Sequence, residues 1–363
     1  MFSAADYAFM SQALRLAEQG LYSTTPNPRV GCVIVRDEQI VGSGWHEKAG
    51  QPHAEINALA DAGAAARGAT AYITLEPCGH HGRTPPCADA LIAAGIARVV
   101  IAMEDPNPLV SGRGCALLQQ AGISIQTGLM QAEAYALNAG FVSRMTRKKP
   151  WVRLKIAASL DGKTALNNGT SQWITGEAAR QDGHRWRARS CAVMTGIGTV
   201  ESDNPQLTVR HAETNRQPKK IVVDSRLAIP LAARVLQNGE ETFIFTAQTG
   251  SREKKAALSQ LNAQVMVLPN AGGRVDLQRM MAALADLGIN EVLVEAGGRL
   301  NGALVAAGLV DELIIYLAPH LIGDDARGMI ALPELTGLED KKPLKIQDIR
   351  MIGQDIRLIA SFL

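Results

Sequence analysis

His53, Glu55, Cys78 and Cys87 are the residues whose types and spacing can do chemistry together. One imidazole and two thiolates make three ligands for zinc and leave the fourth tetrahedral position to water, as in catalytic rather than structural zinc sites. Glu55 lies two residues beyond His53, placed to stand beside that water without ligating the metal. There it can take a proton from the water and return it to departing ammonia. This pattern implies a zinc-dependent deaminase in the first ~145 residues, acting on an amino group of a nitrogen heterocycle. The usual signature closes with P-C-x-x-C, whereas here Cys87 follows Cys78 by nine positions through GHHGRTPPC. His80 and His81 lie in that loop as competing ligands. Spacing alone therefore leaves a structural zinc, or two buried cysteines without metal, as open readings.

The elements that position these residues are legible in the chain. Residues 4–19 have helical spacing and stop at Gly20. Short apolar runs at 30–35, near 40–46 and at 70–75 read as strands, with a helix between Pro52 and Gly68. His53 then stands at a helix start, Cys78 follows a strand, and Cys87 opens the helix CADALIAAG. Both thiolates are expected near helix N-termini, where the dipole favours the anion. ARVVIA, GCALLQQAG and ISIQTG continue as strand, helix and strand, an alternation that indicates an α/β layer on a partly parallel sheet.

The basic segment FVSRMTRKKP at 141–150 reads as a linker, or as a solvated helix end. We divide the chain there into 1–145 and 146–363. The second half repeats the alternation with strands at WVRLKIAAS, CAVMTG, KKIVVD, TFIFT, QVMVL, NEVLVE and DELIIYLAP, and a helix over 276–287. VLVEAGGRLNGALV is a strand, a glycine-rich turn and a helix, a context suited to phosphate. VMTGIGTVESDNP supplies a second turn of that kind. Neither matches the G-x-G-x-x-G dinucleotide fingerprint.

Composition bounds the class. Of 363 residues, 47% are hydrophobic and 20% charged, enough for substantial cores. A net charge of +2 does not imply a nucleic-acid stripe, and leaves room for a local basic patch. Five cysteines suit reduced thiols or metal ligands better than a disulfide framework. Neither a secretory signal nor an 18-residue apolar span is visible, so a cytoplasmic location is expected.

The strings TTPNPRVGCVIV, GQPHAEINAL, TLEPCGHHGRTPPC, MEDPNPLVSGRG, KIAASLDGKTA and SQWIT, in this order, resemble the bifunctional riboflavin-biosynthesis deaminase-reductases over nearly the whole chain. The resemblance implies a cytidine-deaminase-like three-layer domain followed by a dihydrofolate-reductase-like domain. It implies deamination of 2,5-diamino-6-ribosylamino-4(3H)-pyrimidinone 5′-phosphate, then NADPH-dependent reduction of the ribosyl group to ribityl. His53, Cys78 and Cys87 would hold one zinc, with Glu55 as proton shuttle. Asn27, His46, Arg83, Asp105 and Asn107 fall where the family contacts the pyrimidine and its ribose phosphate. Ala157, Trp173, Thr199, Ser225 and Gly297, Gly298, Arg299, Leu300, Asn301, Gly302 and Ala303 match NADPH-binding positions. Ser171, Arg187, Asp203, Leu207, Arg210 and Glu295 match substrate positions. Lys155 and Asp161 lie near the expected reductase site as candidates for proton delivery. Gly79 departs from the serine common in the family, which removes only a side-chain hydrogen bond. The expected partner is a small molecule, with no nucleic acid or membrane, and the chain is expected to form a homo-oligomer, a dimer or tetramer. The competing readings are another zinc deaminase, such as one editing adenosine in RNA, and a non-catalytic zinc-stabilised binding module.

Overall fold

The computed structural model describes all residues except 80–85, 109 and 238. His80, His81 and Arg83 lie outside the described residues. The chain forms two compact units, Met1–Lys148 and Lys149–Leu363.

The first unit begins with helix α1 (Ala4–Gln19), opened by a capping box in which Ser3 and Asp6 satisfy each other's backbone N–H. Strands β1 (Gly31–Arg36) and β2 (Gln39–Trp45) follow, then α2 (Ala54–Ala62), β3 (Thr70–Ile73), α3 (Cys87–Ala94) and β4 (Arg98–Ile101). Helix α4 (Arg113–Gln120), β5 (Ser124–Thr127), α5 (Gln131–Leu137) and α6 (Ala139–Arg147) complete the unit. The sheet order is β2-β1-β3-β4-β5, with β1 antiparallel to both neighbours and β3, β4 and β5 parallel. Glycines show how closely the layers approach. A Cβ on Gly31 would fall 2.0 Å from the Ala13 carbonyl of α1, and one on Gly44 would fall 2.5 Å from the Ala58 nitrogen of α2. Gly44 pairs with Cys32, the residue after Gly31, so these contacts lie on opposite sheet faces. Helices α1 and α2 therefore sandwich the sheet, giving the expected three layers.

The linker expectation is corrected. Residues 139–147 are helix α6, and the expected division at 145/146 falls inside it. Its Val142 and Ser143 are buried, and Arg144 and Arg147 occupy the last turn, where the helix dipole favours cations. The basic run marks a helix end.

The second unit has eleven strands among the described residues. Nine form the main sheet, and two more pair apart from it. The unit opens with β6 (Trp151–Ser159) and β7 (Lys163–Ala165), then α7 (Glu177–Arg189), β8 (Ala192–Gly196) and α8 (Ile197–Asp203). Next come β9 (Lys219–Val223), β10 (Thr242–Thr246), α9 (Arg252–Gln260), β11 (Ala263–Val267), α10 (Leu277–Asp286) and β12 (Glu291–Val294). Helix α11 (Gly298–Ala306), β13 (Glu312–Ala318), β14 (Arg327–Gly328), β15 (Leu344–Ile352) and β16 (Asp355–Phe362) end the chain. The main sheet runs β11-β10-β9-β8-β12-β6-β13-β16-β15, and β7 pairs separately with β14. The strands from β11 to β13 are parallel, which is why they read as unbroken apolar runs. The last two are antiparallel. Helix α7 left no apolar period in the sequence because its buried face carries Asp182, Gly183 and His184.

Candidate active sites and a metal centre

His53 is the N-cap of α2 and Glu55 lies in its first turn. Cys87 opens α3 after Pro86. Cys78 is held across from it by accepting the Cys87 backbone N–H at 3.3 Å. The His53 Nδ1 lies 3.2 Å from the Cys87 Sγ and 3.7 Å from the Cys78 Sγ. Ligands at zinc bond lengths and tetrahedral angles stand about 3.6 Å apart from nitrogen to sulfur. These three atoms, all within 4.8 Å of one another, therefore fit zinc without rearrangement.

One thiol of the cluster is set up as a thiolate. A hydrogen bond from the Cys87 thiol, followed by one with His53, draws the Cys78 thiol down to about 4. Hydrogen bonding to Cys78 raises His53, outweighing its burial. Glu55 is buried, and burial lifts its carboxyl to about 7. A group of that acidity can both accept and return a proton near neutral pH. When bound, zinc supplies the charge that makes water acidic enough to lose a proton at neutral pH.

Around this cluster, Asn27 Nδ2 lies 3.1 Å from His46 Nε2, and the His46 ring stands edge-on to His53 with centroids 5.2 Å apart. His46 Nδ1 meets the Pro52 carbonyl at 3.0 Å, and burial lowers its basicity. Asn27 and His46 thus join the metal centre. Asp105 accepts the Asn107 N–H at 2.8 Å, the Asx turn expected beside proline. One residue that the motif reading passed over is Glu76. Its buried carboxylate accepts backbone N–H groups of Asp105, Gly112, Gly114 and Cys115.

In the second unit the residues matched to substrate and cofactor gather at the carboxyl ends of the parallel strands, where ligands bind in open α/β sheets. Arg187 on α7 grips Glu295, just past β12, and Lys155 on β6 places its Nζ 3.8 Å from the same carboxylate. Burial would raise Glu295, but Arg187 and Lys155 outweigh it and hold the carboxyl at about 2. His184, one turn before Arg187, accepts the Arg210 backbone N–H at 3.2 Å. Ser171 Oγ donates to Asp203 at 3.4 Å. Leu207 has a positive φ of 56° and its side chain is in the core, so the backbone is what it can offer a ligand. Asp161 accepts the N–H groups of Ile322 and Gly323 and the Ser159 hydroxyl, which ties down a loop.

The two glycine-rich turns meet. A Cβ on Gly196 would touch Leu300 at 3.4 Å, so the start of α11 lies beside the turn that leads into Thr199. Space beside Gly297 is open, with nothing within 4 Å of an added Cβ, while Gly298 and Gly302 are pressed against the backbone at 328–331. The Gly298 and Arg299 N–H groups precede the first intrahelical acceptor, since the Gly297 carbonyl is taken by Leu300 and Asn301, and that open side gives a phosphate room to meet them. Asn301 Nδ2 donates to the Met329 carbonyl, and its buried Oδ1 has no partner among the described residues. These features fit a dinucleotide. Ala157 is on β6, and Ser225, after β9, accepts the Val275 N–H. Trp173 is exposed beneath the Arg180 guanidinium, in a cleft shared with Ser171, Ile174 and His320.

Known proteins divide the same way. The RibD C-terminal domain matches residues 150–358, and the cytidine and deoxycytidylate deaminase zinc-binding region matches residues 3–103. The riboflavin biosynthesis protein RibD of Escherichia coli K12 is 50% identical, covering 97% of this chain and 98% of its own. The chain belongs to the RibD family. Among solved RibD structures, that of Acinetobacter baumannii superposes with a TM-score of 0.93 at 45% identity, covering 99% of both chains. The Thermotoga maritima diaminohydroxyphosphoribosylaminopyrimidine deaminase/5-amino-6-(5-phosphoribosylamino)uracil reductase gives 0.88 at 31%, also over 99% of both. Like its RibD relatives, the chain is a bifunctional deaminase and reductase of riboflavin biosynthesis, using zinc and NADPH. The reading as an unrelated nucleobase deaminase is not favoured. Among the described residues no helix is long and apolar enough to cross a membrane.

Proposed function

We propose that residues 1–148 hydrolyse the amino group of 2,5-diamino-6-ribosylamino-4(3H)-pyrimidinone 5′-phosphate, and that residues 149–363 reduce the ribosyl group of the product to ribityl with NADPH. The observation that carries this is the His53, Cys78 and Cys87 triangle with buried Glu55 two residues along α2. His53, Cys78 and Cys87 hold the zinc. Glu55 passes a proton from water to the leaving ammonia. Asn27, His46, Asp105 and Asn107 orient the ring and ribose, and Arg83 meets the phosphate, for which a guanidinium fork is suited.

In the reductase, Ser171, Arg187, Asp203, Leu207, Arg210 and Glu295 hold the substrate. Ala157, Trp173, Thr199, Ser225 and residues 297–303 hold the cofactor, which supplies hydride to C1 of the opened sugar. Lys155 delivers the accompanying proton, supported by its approach to Glu295. The test is Glu55→Gln. It retains one zinc per chain, loses deamination by ~10²–10⁴-fold, and still reduces supplied deaminated intermediate. Loss of zinc together with folding would favour a structural metal instead.

The partner is a small phosphorylated pyrimidine, in keeping with the near-neutral charge, and five cysteines outside any disulfide favour a reducing cytoplasm. The enzyme acts as a homo-oligomer through the free edge of the nine-stranded sheet. Between Ile346 and Asp348 the pairing of β15 with β16 shifts by one residue. Leu344, Ile346, Ile349 and Met351 consequently oppose Phe362, Ala360, Leu358 and Ile356 and share one face. They are 41%, 55%, 59% and 60% exposed, an apolar edge that monomers avoid leaving open. A second copy of the same strand is self-complementary to it. Sedimentation of Ile349→Lys as a monomer supports this, and an unchanged mass refutes it.

A further inference from the structure

We infer that Glu76 is a positioning residue for the deaminase substrate, holding the loop that carries Asp105 and Asn107 against the metal centre. Each carboxylate oxygen takes two backbone N–H groups. Oε2 accepts from Asp105 at 3.1 Å and Gly112 at 3.0 Å, and Oε1 accepts from Gly114 at 3.0 Å and Cys115 at 3.2 Å. Helix α4 begins at Arg113 behind Gly112, an N-cap with no side chain to offer. Glu76 therefore caps α4 from the segment that follows β3, and the helix dipole favours its charge. Its own backbone is fixed to the sheet, because the Glu76 N–H donates to the Met103 carbonyl at 2.9 Å.

The clamp draws two backbones together. A Cβ on Gly114 would lie 1.8 Å from the Pro77 carbonyl oxygen, and one on Gly79 would lie 2.8 Å from the Gly114 nitrogen. Pro77, Cys78 and Gly79 are thus packed directly on the start of α4, with a metal ligand in their midst. From the other end of the clamp hangs the substrate loop. Glu76 fixes Asp105, Asp105 turns the chain to Asn107, and the Asn107 carbonyl accepts the N–H groups of Val110 and Ser111. One buried carboxylate sets the distance between the thiolate loop and the side chains that face the substrate.

This inference rests on the reading that Asp105 and Asn107 touch substrate, and the experiment separates the two. Glu76→Gln keeps the shape but turns one oxygen into an NH2 that faces N–H donors, so two backbone groups lose their acceptor. We expect a KM for deamination raised about tenfold or more, a smaller change in kcat, one zinc per chain and unchanged reduction of supplied intermediate. Asn107→Ala is measured beside it. A KM within twofold of the parent in Glu76→Gln, while Asn107→Ala raises it, overturns the positioning role alone. A rise in Glu76→Gln with none in Asn107→Ala supports the clamp and overturns only the contact assigned to Asn107. Zinc loss in Glu76→Gln together with the KM change overturns positioning in favour of a purely structural role.

Discussion

Arg187 grips Glu295 from 108 residues away, with Nε at 2.6 Å and Nη2 at 2.9 Å on separate carboxylate oxygens. The pair is largely buried, and Lys155 approaches the same carboxylate at 3.8 Å. Burial pushes the Lys155 ammonium below the ordinary lysine value, and Glu295 opposes that shift. Removing the negative charge with Glu295→Gln therefore lowers Lys155 further. If Lys155 acts as ammonium, reduction fails above its pKa, so the alkaline limb of the kcat profile moves to lower pH. The variant also strands Arg187 without its carboxylate, costing about 3 kcal/mol of stability in the second unit. A pH–rate series checks this, and an unmoved limb excludes Lys155 as its source.

Removing the metal separates the two activities. A strong chelator is expected to abolish deamination while reduction of supplied intermediate continues, because the zinc ligands all belong to the first unit. Cys78→Ser is expected to lower zinc content in the same preparation, since a neutral hydroxyl is a poor substitute for a thiolate. Parallel loss of both activities would show that the reductase needs the metal.

Asp6 sets an acid limit on the first unit. Burial would raise its carboxyl, but Arg98, Ser3 and Tyr72 hydrogen-bond to it and hold it well below the usual carboxylate range. A carboxyl depressed in the folded state stabilises above its unfolded pKa of about 3.9 and loses that contribution as pH falls through the folded value. Asp6→Asn is expected to cost about 1–3 kcal/mol at pH 7. The difference from the parent should shrink steadily below about pH 4. Urea unfolding at several pH values measures it, and a pH-independent difference would mean that the charge is not what matters.

The sequence showed the metal centre clearly because its ligands come with local punctuation. Pro52 precedes His53 and Pro86 precedes Cys87, so helix starts and ligands are written together. The parallel strands were equally visible as apolar runs. Glu76 was not, since its partners are backbone N–H groups with no residue signature. Helix α7 was also missed, because Asp182 faces inward to accept the Tyr316 hydroxyl at 2.6 Å and Arg357 at 2.8 Å, replacing the apolar stripe that marks a helix. Strand β15 was hidden for the opposite reason: its apolar residues face outward.

Gly297, the N-cap of α11, and Gly302, inside that helix, should fail in different ways. A Cβ on Gly302 would fall 1.9 Å from the Ala331 carbonyl oxygen, so Gly302→Ala must push α11 off the segment at 328–331. Overpacking of that kind costs about 1–3 kcal/mol. It also disturbs Asn301, whose Nδ2 is fixed on Met329. Both the melting temperature and the affinity for NADPH should fall. Gly297 has φ −78°, which alanine adopts without strain, and nothing stands within 4 Å of the added methyl. Gly297→Ala should therefore melt like the parent. Because the methyl would occupy the space proposed for phosphate at the α11 N-terminus, the KM for NADPH should still rise, by about tenfold for one charge-assisted contact. Titration of both variants with NADPH, alongside thermal melts, distinguishes the two. Unchanged cofactor affinity in Gly297→Ala would place the phosphates elsewhere.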